Sequence, residues 1–171
     1  MKMYLIPFLI ISVVFVNAQN PTVRENTDSL CKAIDKNIQL KKKLYNQEIF
    51  MEQVTDEGGE LTVYHEDNLV YRIKEWIGLS NAVIIRNYYF KNNKLLFVRE
   101  EEYLYEVDDA GNINKEKLSR KPGFVGKYYF RKGKIIDEES LGHNRFEDEK
   151  NDAEKEYLGL AKKYLNLFYK Q

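Results

Sequence analysis

The chain has 171 residues with 27 lysine plus arginine against 27 aspartate plus glutamate, so no overall charge steers it toward nucleic acid or an acidic membrane surface. A single cysteine, Cys31, excludes an intrachain disulfide, and His65 and His143 stand alone, without a second ligand at the spacing a zinc site needs. Thirteen tyrosines against one tryptophan suit positions that bury a ring and keep a hydroxyl hydrogen-bonded.

The first eighteen residues, MKMYLIPFLIISVVFVNA, place Lys2 before an apolar run from Met3 to Val16, with Ala18 closing the segment. This is the layout of a secretory signal peptide, cleaved between Ala18 and Gln19. The run is shorter than the roughly 20 residues of a spanning helix, so no stable membrane anchor is expected after cleavage. No cysteine follows the cut, which argues against a lipoprotein. The rest, about 150 residues, is the size of one domain. The expected organisation is a signal peptide over 1–18, a polar leader over 19–27 and a single domain over 28–171, in a periplasmic or secreted protein.

Leu30, Ile34, Ile38, Lys41, Tyr45 and Ile49 recur at spacings of four and three, apolar apart from Lys41, which predicts a helix from about Asp28 to Asn46 with Thr27 or Asp28 as cap. EIFMEQVT reads as extended chain leading into a reversal at Gly58-Gly59. Six segments rich in β-branched and aromatic residues follow: ELTVYH, NLVYRIKEWI, AVIIRNYYFK, KLLFVREEEYLYEV, GKYYFR and KIIDEE. Their links are turns at Glu66-Asp67, Gly78 to Asn81, Asn92-Asn93, Asp109 to Asn112 and Lys132-Gly133, too short for anything but antiparallel neighbours, apart from the long polar NINKEKLSRKPGF connection. From about Asp148 to Tyr169 the period returns to helical, with Ala153, Tyr157, Ala161, Tyr164 and Phe168 on one face and Asn151 and Glu154 as a capping pair. The expected fold is α+β: an antiparallel β-meander of about six to seven strands with the N-terminal and C-terminal helices packed on one face.

NYYFKNNKLLFV returns as KYYFRKGKII and, more weakly, as VYHEDNLVYR. A two-residue turn at Asn92-Asn93 sets Phe90 opposite Leu95, Tyr89 opposite Leu96 and Tyr88 opposite Phe97. The second copy sets Phe130 opposite Ile135 and Tyr129 opposite Ile136, and the third sets Tyr64 opposite Leu69. Apolar residues then fall on both faces, so each face needs cover. Tyr88, Tyr89, Phe90, Phe97, Tyr128 and Phe130 are the candidate binding residues if one aromatic face stays open. The alternative is a curled sheet shielded by the long connection.

Charge is locally uneven. Eight basic residues against Glu116 lie between Ile113 and Lys134, and nine acids against three bases between Ile135 and Glu156. Either a basic face awaits an anionic partner or the two blocks neutralise each other. DDAGNINKE lacks the alternating ligands of a calcium loop, and there is no phosphate-cradling glycine loop or serine elbow. Glu100, Glu101 and Glu102 alternate faces and read as surface ion pairing rather than a paired-acid site. No catalytic, metal or cofactor residue is assigned.

EGGELTVYHEDNLVYRI, YYFKNNKLLFV and KYYFRKGKI resemble small exported bacterial proteins of uncharacterised activity, which carry a Glu-Gly-Gly-Glu turn and repeated Tyr-x-Phe-x-x-Gly/Asn-Lys-Leu hairpins. The resemblance spans Glu57 to Ile136 and implies a fold but no activity. The expected function is a non-enzymatic exported binding domain, with an envelope protein or polymer as partner. The alternatives are a small-ligand carrier with an apolar cavity, or a carboxylate-dependent hydrolase.

Overall fold

A Thr-x-x-Glu box starts the first helix: the Thr22 hydroxyl accepts from the Glu25 N–H while the Glu25 carboxylate accepts from the Thr22 N–H. The computed structural model describes residues 22–142 and 152–170. The segment read as a signal peptide, His143 and Asn151 lie outside the described residues. Helix α1 spans Val23–Lys36, strand β1 Lys41–Asn46 and a single turn α2 Gln47–Phe50. They are followed by β2 (Gly59–Glu66), β3 (Leu69–Gly78), β4 (Ala82–Lys91), β5 (Lys94–Val107), β6 (Ile113–Leu118), β7 (Phe124–Arg131), β8 (Lys134–Gly142) and α3 (Ala153–Tyr169). No helix among the described residues is long and apolar enough to cross a membrane.

The fold is α+β with one antiparallel sheet, ordered β1-β2-β3-β4-β5-β7-β8, and β6 pairs with the far end of β5. Four expectations are corrected. The first helix begins inside the expected leader and ends at Lys36, because Asn37 turns the chain and Lys41–Asn46 pair with β2 as an edge strand. Part of the stretch read as extended, Gln47–Phe50, is the α2 turn. The polar connection holds an eighth strand, β6, rather than a shield. Finally, the two long helices lie on opposite faces of the sheet. Tyr157, Ala161, Tyr164 and Phe168 of α3 pack with Tyr88, Phe90 and Tyr128, whereas Cys31 and Ile34 of α1 pack with Tyr89, Phe97 and Tyr129.

The reason lies in the hairpins. Phe90 faces Leu95 and Phe130 faces Ile135 as expected, but Tyr89 faces Phe97 and Tyr129 faces Asp137, leaving Leu96 and Ile136 as extra residues. The first hairpin is the same: its turn is Asp67-Asn68, His65 faces Val70, Tyr64 faces Arg72, and Tyr71 is extra. Each hairpin therefore has a two-residue turn and a β-bulge at the same place. Positive φ at Asn92 (50°) and Asn93 (57°), and at Lys132 (52°) and Gly133 (74°), gives the turn hand that matches strand twist. The bulge moves Phe97 and Val98 to faces opposite those a simple register gives them. Ordinary alternation puts one ring of each Tyr-Tyr pair on each side, so both sides need a helix.

Asn93 also ties two hairpin tips together. Its side-chain oxygen accepts from the Val70 N–H at 3.0 Å and its amide donates to the Asn68 carbonyl at 3.4 Å. Asn93→Gly keeps the left-handed backbone but loses the tie, and should lower stability by about 1 kcal/mol in urea denaturation. Asn93→Ala loses both and should cost about 1 kcal/mol more. A glycine variant as stable as the parent would show that the tie contributes nothing.

Candidate functional site

The six candidate binding residues are all core residues. Tyr88, Phe90, Tyr128 and Phe130 lie under α3 and Tyr89 and Phe97 under α1, none more than 5% exposed. Each sheet face carries its own helix there, and of the six Phe130 also lines an open groove.

Under α3 the sheet buries charge. Glu75, Arg86 and Glu100 are cross-strand neighbours on β3, β4 and β5, all on the α3 face. The Arg86 Nη1 donates to the Glu75 Oε2 at 3.1 Å and its Nε to the Glu100 Oε2 at 2.5 Å. Two carboxylates exceed what one guanidinium can serve, and tyrosine hydroxyls supply further donors. Tyr88 and Tyr164 donate to Glu75, and Tyr157 donates to Glu100. Burial works against the Arg86 charge, yet Glu75 and Glu100 outweigh it and hold its pKa well above the usual value. Burial, reinforced by Glu75, raises the Tyr88 and Tyr164 pKa values, so both stay donors. The row continues at Gly126, opposite Glu100, where a Cβ would stand 2.7 Å from Tyr128 Cε2 and 2.8 Å from Phe124 Cζ. These rings close over the position a side chain would take.

This arrangement fastens α3 to the sheet. Two acids converge, but with exposures of 2%, 7% and 2% for Glu75, Arg86 and Glu100 they meet across an arginine and not across a cleft. Sequence reasoning placed Glu100 at the surface. The signals pointing the other way were an arginine inside AVIIRNYYF and a glutamate inside LVYRIKEWI. Glu101, on the other face, accepts from Arg99 at 2.7 Å, as a surface acid would.

The α1 side has its own polar clasp. The Tyr89 hydroxyl donates to Asp35 at 3.0 Å, Arg72 pairs with Asp35 at 2.5 Å, and the Tyr129 hydroxyl donates to Asp28 at 3.0 Å. Arg24 reaches Asp137 at 2.8 Å and Glu139 at 3.3 Å on β8. Between these acids sits Cys31, whose thiol burial pushes up to about 12, with Asp35 and Asp28 adding to the shift. A thiol so protonated is a poor nucleophile.

The open concave feature with a distinct chemical character lies elsewhere, between the tips of the β4–β5 and β7–β8 hairpins. It encloses about 740 Å³. Leu95, Leu96, Phe130 and Leu158 form an apolar floor, and Lys91, Lys94, Arg131 and Lys132 stand on the rim. Lys134 nearby pairs with Glu154 at 2.7 Å, but these four cations have no anionic partner among the described residues. The basic block seen in the sequence is thus split: Lys127 meets Glu139 at 3.3 Å, and Arg131 and Lys132 at the turn have no ion pair among the described residues. Lys91 and Lys94 belong to a different hairpin, and only the folded sheet brings them beside Arg131.

Compared with protein-family models, with curated proteins and with solved structures, the chain matches none.

Both helices are tied to β8 by exposed ion pairs. The Arg24 hydrogen bond holds the Asp137 carboxyl below its ordinary 3.8. The Lys134 ammonium, helped by the Ile135 N–H, holds Glu154 below its ordinary 4.5. A depressed folded pKa contributes stability above the unfolded pKa, and that contribution is lost as pH falls through the folded value. The melting temperature should therefore fall between about pH 5 and pH 2, and fall less steeply in Arg24→Gln and Lys134→Gln. Identical slopes in parent and variants would contradict this assignment.

Proposed function

We propose that the chain is an exported, non-enzymatic binding domain whose recognition site is the groove between the second and third hairpin tips. Its ligand is an amphipathic anion of the cell envelope, with the acidic head held on the rim and the apolar chain laid on the floor. The observation that carries this reading is the set of four cations, Lys91, Lys94, Arg131 and Lys132, that have no counter-charge among the described residues, around Leu95, Leu96, Phe130 and Leu158. A cationic rim over an apolar floor selects for ligands with both features, since a free anion gains little at exposed ammonium groups and a neutral chain leaves the rim unused. The volume falls within the range of small-ligand sites.

Export rests on the first eighteen residues: a basic start, an apolar run and a small residue at Ala18. The carboxylates that would serve a hydrolase are taken up by Arg86 and tyrosines in the core, which favours binding over catalysis.

Calorimetry with dodecyl phosphate, inorganic phosphate and dodecyl maltoside tests the reading. Dodecyl phosphate should bind at least about tenfold more tightly than either of the others. Lys91→Glu with Arg131→Glu should weaken it by about tenfold or more without changing the melting temperature, as all four rim residues are without ion pairs among the described residues. Equal binding of the neutral detergent, or no effect of the charge reversals, would overturn it.

A further inference from the structure

Among the described residues both edges of the main sheet are open. β1 pairs with β2 and β8 with β7, and among the described residues no other backbone hydrogen bond involves either strand. One edge group is occupied, the Ile135 N–H, which donates to Glu154 at 2.8 Å. An unpaired edge is a template for another strand.

The two edges carry opposite charge. β1 begins Lys41-Lys42-Lys43, and the middle of β8 is Asp137-Glu138-Glu139. The ladder registers put these residues in the same rows. The row that starts at Lys42 passes through Tyr64, Tyr89 and Tyr129 and ends at Asp137. The row that starts at Lys43 passes through Tyr88 and Tyr128 and ends at Glu138. Lys42 and Asp137 thus share the α1 face, and Lys43 and Glu138 the α3 face.

The seven strands of the main path each run antiparallel to the next, so the first and last point the same way. A second copy in the same orientation would continue the sheet, setting its β1 parallel to β8 with Lys42 beside Asp137 and Lys43 beside Glu138 and no shift in register. Antiparallel pairing of two β8 edges would instead set acids against acids, and pairing two β1 edges would gather six lysines in one interface, both of which are unfavourable. The charges are available. Lys42 and Lys43 lie over the rings of Tyr64 and of Tyr45 and Phe168 and have no carboxylate partner among the described residues, and Glu138 has no ion pair there either. Asp137 already holds Arg24 and would be shared.

We propose that the protein associates with further copies of itself by head-to-tail extension of the sheet, β8 of one copy against β1 of the next. Such a contact uses different surfaces on its two sides and does not close on itself, so it generates open chains of copies. It is independent of the groove, whose residues lie at the hairpin tips. A few rows of a parallel ladder form a small interface, so association depends on concentration and is weakened by salt.

Sedimentation velocity of the purified protein, from micromolar to millimolar concentration at low and high salt, should show species larger than the monomer that grow with concentration and shrink with salt. Lys43→Glu and Glu138→Lys should each weaken association by about fivefold. An equimolar mixture of the two should recover it, because each reversed edge then meets a complementary one. With Cys31 replaced by alanine, a chain carrying both Lys43→Cys and Glu138→Cys should give a ladder of dimers, trimers and longer species on oxidation, whereas either new cysteine alone faces no cysteine across the contact and should give no such ladder. Glu138 is exposed, so Glu138→Lys remains informative even if Lys43→Glu disturbs the Phe168 contact. A monomer under every condition, or association that neither charge reversal weakens, would overturn the proposal.

Discussion

Arg86, held between Glu75 and Glu100 in the middle of the sheet, is the constraint on which the rest of the molecule depends. The desolvation of three ionised groups is recovered only where geometry is good and remaining hydrogen-bonding capacity is filled. Here the three central strands supply the ion row, and Tyr157 and Tyr164 of α3 add donors from above. The same contacts that satisfy the charges therefore dock the helix. They also fix strand register, since a slip of one residue would carry Arg86 to the α1 face, away from both acids.

Around that row the sheet is made of one unit used three times. Each hairpin ends in a two-residue turn followed by a bulge, at Tyr71, Leu96 and Ile136. Strand alternation divides the aromatic pairs before the turns between two cores, and each bulge turns two consecutive residues after the turn toward one face. Two helices are needed as a result, and they use different chemistry. α3 covers rings and buried charge, while α1 is clasped through Asp28, Asp35 and Arg24 to residues nearer solvent. Repetition also leaves the tips side by side at one end, which is how cations from separate hairpins come to surround one groove.

Much of this was legible in the sequence, for local reasons. Short polar turns between β-rich segments required antiparallel neighbours, and the pairs next to the turns, Phe90 with Leu95 and Phe130 with Ile135, followed from turn length alone. The failures were cases where a distant contact decides. Lys41–Asn46 continues a helical spacing but becomes an edge strand because β2 offers it a partner. The bulges have no glycine to mark them, and without them Phe97 and Val98 fall on the wrong faces. Glu100 sits in a run of three glutamates that looks solvated, and only register with Arg86 shows that the first of the three is buried.

The most direct test of the Arg86 row is Arg86→Met, followed by urea denaturation and amide exchange. Removing the guanidinium strands two buried carboxylates, so the expected loss is about 3–5 kcal/mol, with protection of the α3 amides lost ahead of those of α1. A loss below about 1 kcal/mol with α3 still protected would contradict the claim that this row holds the fold together.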